Sequence, residues 1–462
     1  MNIGILRVRF LRSRDSLTLI LGTILWPALA LAQSHQVVSM SRGMVGQPAE
    51  VSIAINPVHP NKVVAVALVT GLDLRSTNLS FASQDGGRTW THRLSWNPEK
   101  RMQGDDAVVF NQEGRAFRSY ISFRGIVKKT DTPANGIFVS SSSDSGRTWD
   151  PPVTVVDHRN TITPFEDKPY LVADTAPQSS FSGRLYVAWT RFDRYGSEDP
   201  EDQSHIYFSH SRDNGQSFAS PIRVSDRGGD CRDSDGTLEG AVPSVGIAGE
   251  VYLVWAGSRG LILDQSSDGG STFGPDRVIS DMPGSWDLEV AGLGRANGLP
   301  VTGMDHSPGP YRGTLYVNWV DERHGDPDVF LMHSRDGGHS WSPPVRVNDD
   351  PVSNGRPQFL SWMAVDPFDG SVNIIFLDRR TGDGTRTGAI LARSVDGGRE
   401  FLNIPIDQEP FKNNPSIFFG DYTGISAVGG DVVAAFPRFV SPCQLELAAA
   451  IFRFRPGSLE TE

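Results

Sequence analysis

An eight-residue pattern, Ser83-Gln84-Asp85-Gly86-Gly87-Arg88-Thr89-Trp90, constrains this chain more than any other feature, because versions of it begin again at Ser142, Ser211, Ser266, Ser334 and Ser394. The six copies place aspartates at Asp85, Asp144, Asp213, Asp268, Asp336 and Asp396, at intervals of 59, 69, 55, 68 and 60 residues. A period of this size marks units that bury their apolar faces against their neighbours. The pattern has the chemistry of a tight hairpin. The aspartate accepts hydrogen bonds from its own turn, glycine supplies a positive φ, and the Ser or Thr hydroxyl closes the loop. The final Trp or Phe opens the next strand. The six aspartates are therefore expected to be structural staples rather than catalytic groups.

Between copies the chain reads as short apolar, β-branched runs bounded by Gly, Pro, Asn or Asp. The first block gives strands at 51–55, 63–69, 79–82 and 91–94, and the third at 170–173, 184–190, 205–210 and 222–225. Each block is three strands, the repeat and a fourth strand, which predicts an all-β propeller of four-stranded antiparallel blades. After the sixth copy come three strands, 422–428, 432–436 and 445–454, with no fourth. The N-terminal run 36–40 resembles the fourth strands at 222–225 and 345–348. If it completes the last blade, the ring has seven blades and no free edge, with six blades as the alternative.

The pattern S-x-D-x-G-x-[ST]-[WF] resembles the Asp-box, or BNR repeat, of sialidase-like β-propellers, and the resemblance covers essentially the whole chain after its leader. It implies a glycan-directed protein that binds or processes sugars, with a non-catalytic interaction propeller as the alternative. Sialidases have six blades, an arginine triad that grips an acidic sugar, and a tyrosine nucleophile assisted by Glu and Asp. The counterparts the resemblance offers are Tyr422 in Gly420-Asp421-Tyr422-Thr423-Gly424, Glu239 in Leu238-Glu239-Gly240, and Asp106 or its neighbour Asp105. The family's Arg-Ile-Pro signature is absent: the first inner strand reads Ala49-Glu50-Val51-Ser52-Ile53.

The N-terminus carries Arg7, Arg9, Arg12 and Arg14, an apolar run at 17–31, and Ala30-Leu31-Ala32. This predicts a secretory signal peptide over 1–32 and a single propeller domain over 33–462 that is secreted or periplasmic, a membrane anchor being the alternative. Losing four Arg and one Asp moves the net charge from −11 to −14. That acidic balance argues against nucleic acid or an anionic membrane as partner. Cys231 and Cys443 are a disulfide candidate in an exported protein, or two independent thiols.

In such a ring the repeat hairpins lie on one face, so function is expected around the channel mouth on the other. Second strands end in Arg191, in Asp321 and Arg323, in Asp378 and Arg380, and in Arg438. First strands begin with Glu50, Asp105 and Asp106, Glu166 and Asp167, Glu239, and Asp421. These are either salt bridges repeated blade by blade or a polar pocket for a glycan or another polar or anionic ligand. Asp230, Asp233 and Asp235 resemble part of a calcium loop but lack its spacing and terminal Glu, so a solvated acidic loop is the preferred reading. Asp321, Asp326 and Asp328 are similar. No zinc, phosphate-loop or serine-hydrolase motif occurs, and no cofactor is expected. Oligomeric state is left open.

Overall fold

The computed structural model describes residues 35–454 apart from 73, 74, 98, 129, 285 and 407, so the expected leader over 1–32 lies outside the described residues. Among the described residues there are 28 strands and no helix, arranged as seven antiparallel four-stranded sheets. Six blades run outward in chain order within 47–94, 102–159, 165–223, 239–280, 301–346 and 358–405. In the seventh, Gly424–Val428, Asp431–Ser441 and Gln444–Arg453 are joined by the N-terminal strand Gln36–Ser39 as the outermost strand. The pairing runs antiparallel from Gln36 opposite Ile451 to Ser39 opposite Ala448. The Met40 N–H donates to the Leu447 carbonyl at 2.8 Å, and Met40 itself is buried. This closes the ring with seven blades rather than six.

The second strand of each blade is almost wholly buried, with Trp189, Trp255 and Trp319 at 0% exposure in three of them. All six repeats share a Ser–Asp–Gly staple, and in all but the sixth, where Glu400 replaces Ser or Thr, a second hydroxyl also binds the aspartate. In the first, the Ser83 hydroxyl donates to Asp85 at 2.8 Å and accepts the Gly87 N–H at 2.9 Å. Asp85 also takes the Thr89 N–H at 2.9 Å and the Thr89 hydroxyl at 2.6 Å. The fifth residue of each repeat is a glycine that both turns the chain and lies against the preceding blade. Gly270 has φ +80°, and a Cβ there would lie 2.4 Å from the Phe208 ring. At Gly87 the neighbour is Ile451 of the seventh blade, so the first staple also helps close the ring.

The inner strands differ from their predicted spans. They begin earlier, as in Gln47–Ile55 and Phe165–Ala173, because a bulge interrupts the alternation. The last blade is the exception: its inner strand starts at Gly424, which leaves Asp421 and Tyr422 just before it. The disulfide candidate is corrected, since both thiols are free. Cys231 is buried in the linker before the fourth blade, whereas Cys443 is exposed at a turn of the seventh.

Candidate functional site: a buried ionic cluster at the channel mouth

Inner strands start, and second strands end, at the face opposite the staples. Near these starts, five inner strands carry a bulge at the same place. Register breaks leave Glu50-Val51, Asp105-Asp106, Lys168-Pro169, Gly240-Ala241 and Leu360-Ser361 without partners. The first residue of each pair has positive φ: +53° at Glu50, +49° at Asp105, +47° at Lys168, +79° at Gly240 and +51° at Leu360. For the four non-glycine residues this is a strained conformation, costing on the order of 1 kcal/mol or more each. A bulge of this kind re-aims side chains at the rim of a closed sheet. Here it gathers acidic groups and one lysine from several blades into one cluster.

The centre of that cluster is Lys168, 4% exposed, whose ammonium lies 3.1 Å from Asp421 Oδ2 and 3.7 Å from Glu239 Oε1. One lysine thus links blades three, four and seven. Arg295 completes the set, donating to Asp421 Oδ1 at 2.8 Å and to Asp233 at 2.9 Å, with a second bond to Asp421. The Trp286 indole N–H donates to Glu239 Oε2 at 2.5 Å. The Tyr422 hydroxyl donates to Asp105 at 3.4 Å, and Asp105 also accepts a hydrogen bond from Asp167. Tyr170, Trp362 and Tyr422 form an aromatic wall with centroids 5.6–6.2 Å apart. Beside it is a recess with free volume of about 10 Å³, room for about one water molecule.

Burial divides these carboxyls into protonated and ionised groups. Burial would raise Asp421, but the Arg295 guanidinium and the Lys168 ammonium outweigh it and hold the carboxyl low. Burial pushes Glu239 up to about 8, against the pull of Lys168. Burial and the neighbouring Asp105 push Glu50 well above the carboxylate range, and burial does the same to Asp167 despite Lys168. Burial would depress Lys168, yet Glu239, Asp421 and Asp167 keep it firmly charged. Tyr422 is driven well above its ordinary value, first by burial and then by Asp105 and Glu50, so its hydroxyl is protonated. The arrangement therefore offers a proton donor, Glu239, beside an ionised carboxylate, Asp421.

The predicted residues separate into two groups. Asp167, Glu239, Asp421 and Tyr422 meet in the cluster. It is Asp105, not Asp106, that reaches Tyr422. Asp106 turns toward Arg118 at the interface of blades one and two, and burial raises its carboxyl to about 8 although Arg118 opposes this. The arginines at second-strand ends stay within or beside their own blades. Arg191 binds Glu166, Arg323 binds Asp321, Arg380 binds Asp378 and Asp349, and Arg438 binds Glu446 at 2.6 Å. Of the arginines, Arg295 is the one these contacts bring to the centre, so among the described residues no triad assembles around Tyr422.

Lys168, Arg295 and Trp286 were not among the predicted site residues. Lys168 had a signal, following Glu166-Asp167 at an inner-strand start. Arg295 and Trp286 had only the long 68-residue interval between the fourth and fifth repeats. The acidic loop binds protein donors. Asp230 accepts from Ser234 and Thr237, Asp233 from Tyr195 and Arg295, and Asp235 from the N–H groups of Trp286 and Asp287. Asp321, Asp326 and Asp328 likewise accept from Trp319, the Arg356 N–H and Asn348. Among the described residues no group of three or more His, Cys, Asp or Glu side chains is placed to hold a metal ion.

No family model matches this chain, and no curated protein matches it. Solved structures similar to it include an ulvan lyase of a polysaccharide lyase family, at 14% identity and TM-score 0.48, covering 89% of this chain and 95% of that one. An α-L-arabinanase from Penicillium chrysogenum is similar at 12% identity and TM-score 0.48, with 91% and 98% coverage. The NanB sialidase from Streptococcus pneumoniae is similar at 12% identity and TM-score 0.45, with 91% and 70% coverage.

Proposed function

We propose that this is an exported, sialidase-like Asp-box propeller that processes glycans at its channel mouth, with Glu239 as proton donor kept protonated by burial, and Asp421 as ionised partner held low by Arg295 and Lys168. The observation that carries the reading is the pairing, on one lysine, of a carboxyl pushed up to about 8 with a carboxylate held low. Environments that drive two titratable groups apart are how a site holds acid and base together at neutral pH. The ligand is a neutral or weakly charged hydroxylated sugar, because the second-strand arginines are engaged by their own carboxylates and leave no cationic triad for an acid sugar.

The test is release of product from a panel of glycosides and oligosaccharides, followed from pH 5 to 9. The reading expects turnover that falls as pH rises through about 8, where Glu239 loses its proton. No turnover of any glycoside at any pH rejects it. A second reading, a non-catalytic propeller whose cluster ties the inner strands together, is favoured by the small free volume of the recess. It predicts loss of stability, without loss of any turnover, when the cluster is altered.

A further inference from the structure

Six linkers join consecutive blades, and three are long. Stretches 224–238, 281–300 and 406–423 span 15, 20 and 18 residues, against 7, 5 and 11 for 95–101, 160–164 and 347–357. Connections beyond about 12–15 residues without secondary structure of their own are uncommon in compact domains and typify lids and binding loops. All three emerge at the mouth, and Arg295 ties them together. It binds Asp233 of the first, sits in the second, and binds Asp421 of the third. Its guanidinium lies between two rings, 5.2 Å from the Trp286 centroid and 5.6 Å from that of Phe418, which is 39% exposed.

Trp286 stands over the chemistry. Its indole N–H takes Glu239 Oε2, and its backbone N–H and that of Asp287 are held by Asp235 at 2.8 and 3.1 Å. In this arrangement the cluster beneath is covered: Glu239 is 0% exposed and Asp421 2%.

We propose that the stretch 286–295 is a gate over the mouth, latched by Arg295 on Asp233 and Asp421, with Trp286 occupying the edge of Glu239 that a ligand hydroxyl takes when the gate opens. The inference rests on the reading of the mouth as a sugar site, but its test needs no sugar. The gate is held by the polar latch of Arg295 at the rim and by three buried side chains, Trp286 at 1%, Leu288 at 3% and Val290 at 5% exposure, so opening withdraws these three while the strand ladders of the blades beneath stay paired. A gate of this kind opens locally, without unfolding its blades.

The experiment is hydrogen exchange by mass spectrometry on the full mature protein in increasing sub-denaturing urea. Amides within 287–296 are expected to exchange at least tenfold faster than those of the inner strands, with a weaker urea dependence, because opening exposes only a small part of the surface that global unfolding does. Arg295→Ala is expected to speed them a further tenfold or more while leaving peptides of blades one and two unchanged. Exchange of 287–296 only through global unfolding, with the urea dependence of the inner strands, overturns the gate. So does a folded Arg295→Ala protein whose rates stay within twofold of wild type. If that variant fails to fold, Asp233→Asn serves, expected to raise the rate at least threefold, no change overturning the latch. Fast local exchange in a protein that turns over no glycoside keeps the gate and removes the sugar reading instead.

Discussion

Burial works to raise the Asp268 carboxyl, but the hydroxyls of Thr272 and Ser266 and the N–H groups of Ser271 and Thr272 hold it down at about 2. A carboxylate with several donors in one hairpin stabilises the folded state only while ionised. Asp268→Ala should cost about 1–2 kcal/mol at pH 7, read by urea denaturation, and the difference from wild type should vanish as pH falls from 4 through 2. Glu239 and Asp106 behave in the opposite sense. Their folded-state values, about 8, lie above the unfolded ones, so the stability they confer is complete below about pH 4 and is lost as pH rises toward 8. Wild type should lose on the order of 1 kcal/mol per pH unit for each group across that window. Glu239→Gln and Asp106→Asn should each flatten the slope. At this scale the sequence carried the carboxylates, because acidic residues recur at inner-strand starts. It did not carry Arg295, which reaches the cluster from a linker with no repeated counterpart.

Strands and hairpins were legible wherever a repeat or turn residues bounded them, as in Thr91–Leu94, which directly follows the first repeat and matches its predicted span. Inner strands were misjudged at their beginnings because the one extra residue in each bulge reverses the alternation. The same bulges turn these residues toward the cluster, so the boundary error and the candidate site have one cause. The N-terminal strand is the element with most leverage on the ring. Removing residues 33–40 strips the seventh blade of its outer strand and of Met40, and exposes the edge of Gln444–Arg453. This truncation should cost about 3 kcal/mol or more, from lost apolar burial together with lost ladder hydrogen bonds, and should promote association through the free edge. Thermal denaturation and light scattering read the two effects.

For the whole molecule, the repeat and the strand arithmetic at the two termini pointed to seven blades with six as the alternative, and the pairing of the N-terminal strand with Gln444–Arg453 decides for seven. Which face gathers the ionic cluster followed from the hairpins lying opposite the inner-strand starts. What the sequence could not display was convergence: Lys168, Glu239, Asp421 and Arg295 are far apart in the chain and meet only when the ring closes. The central claim is that this meeting point is an acid–base site for glycans. Product release and oligosaccharide binding, measured in parallel for wild type and for folded Glu239→Gln, test it most directly. The account predicts that the variant keeps binding within about threefold while turnover falls about 100-fold or more, the contribution of a positioned general acid. Equal turnover in the two proteins, or neither binding nor turnover by wild type, would contradict it.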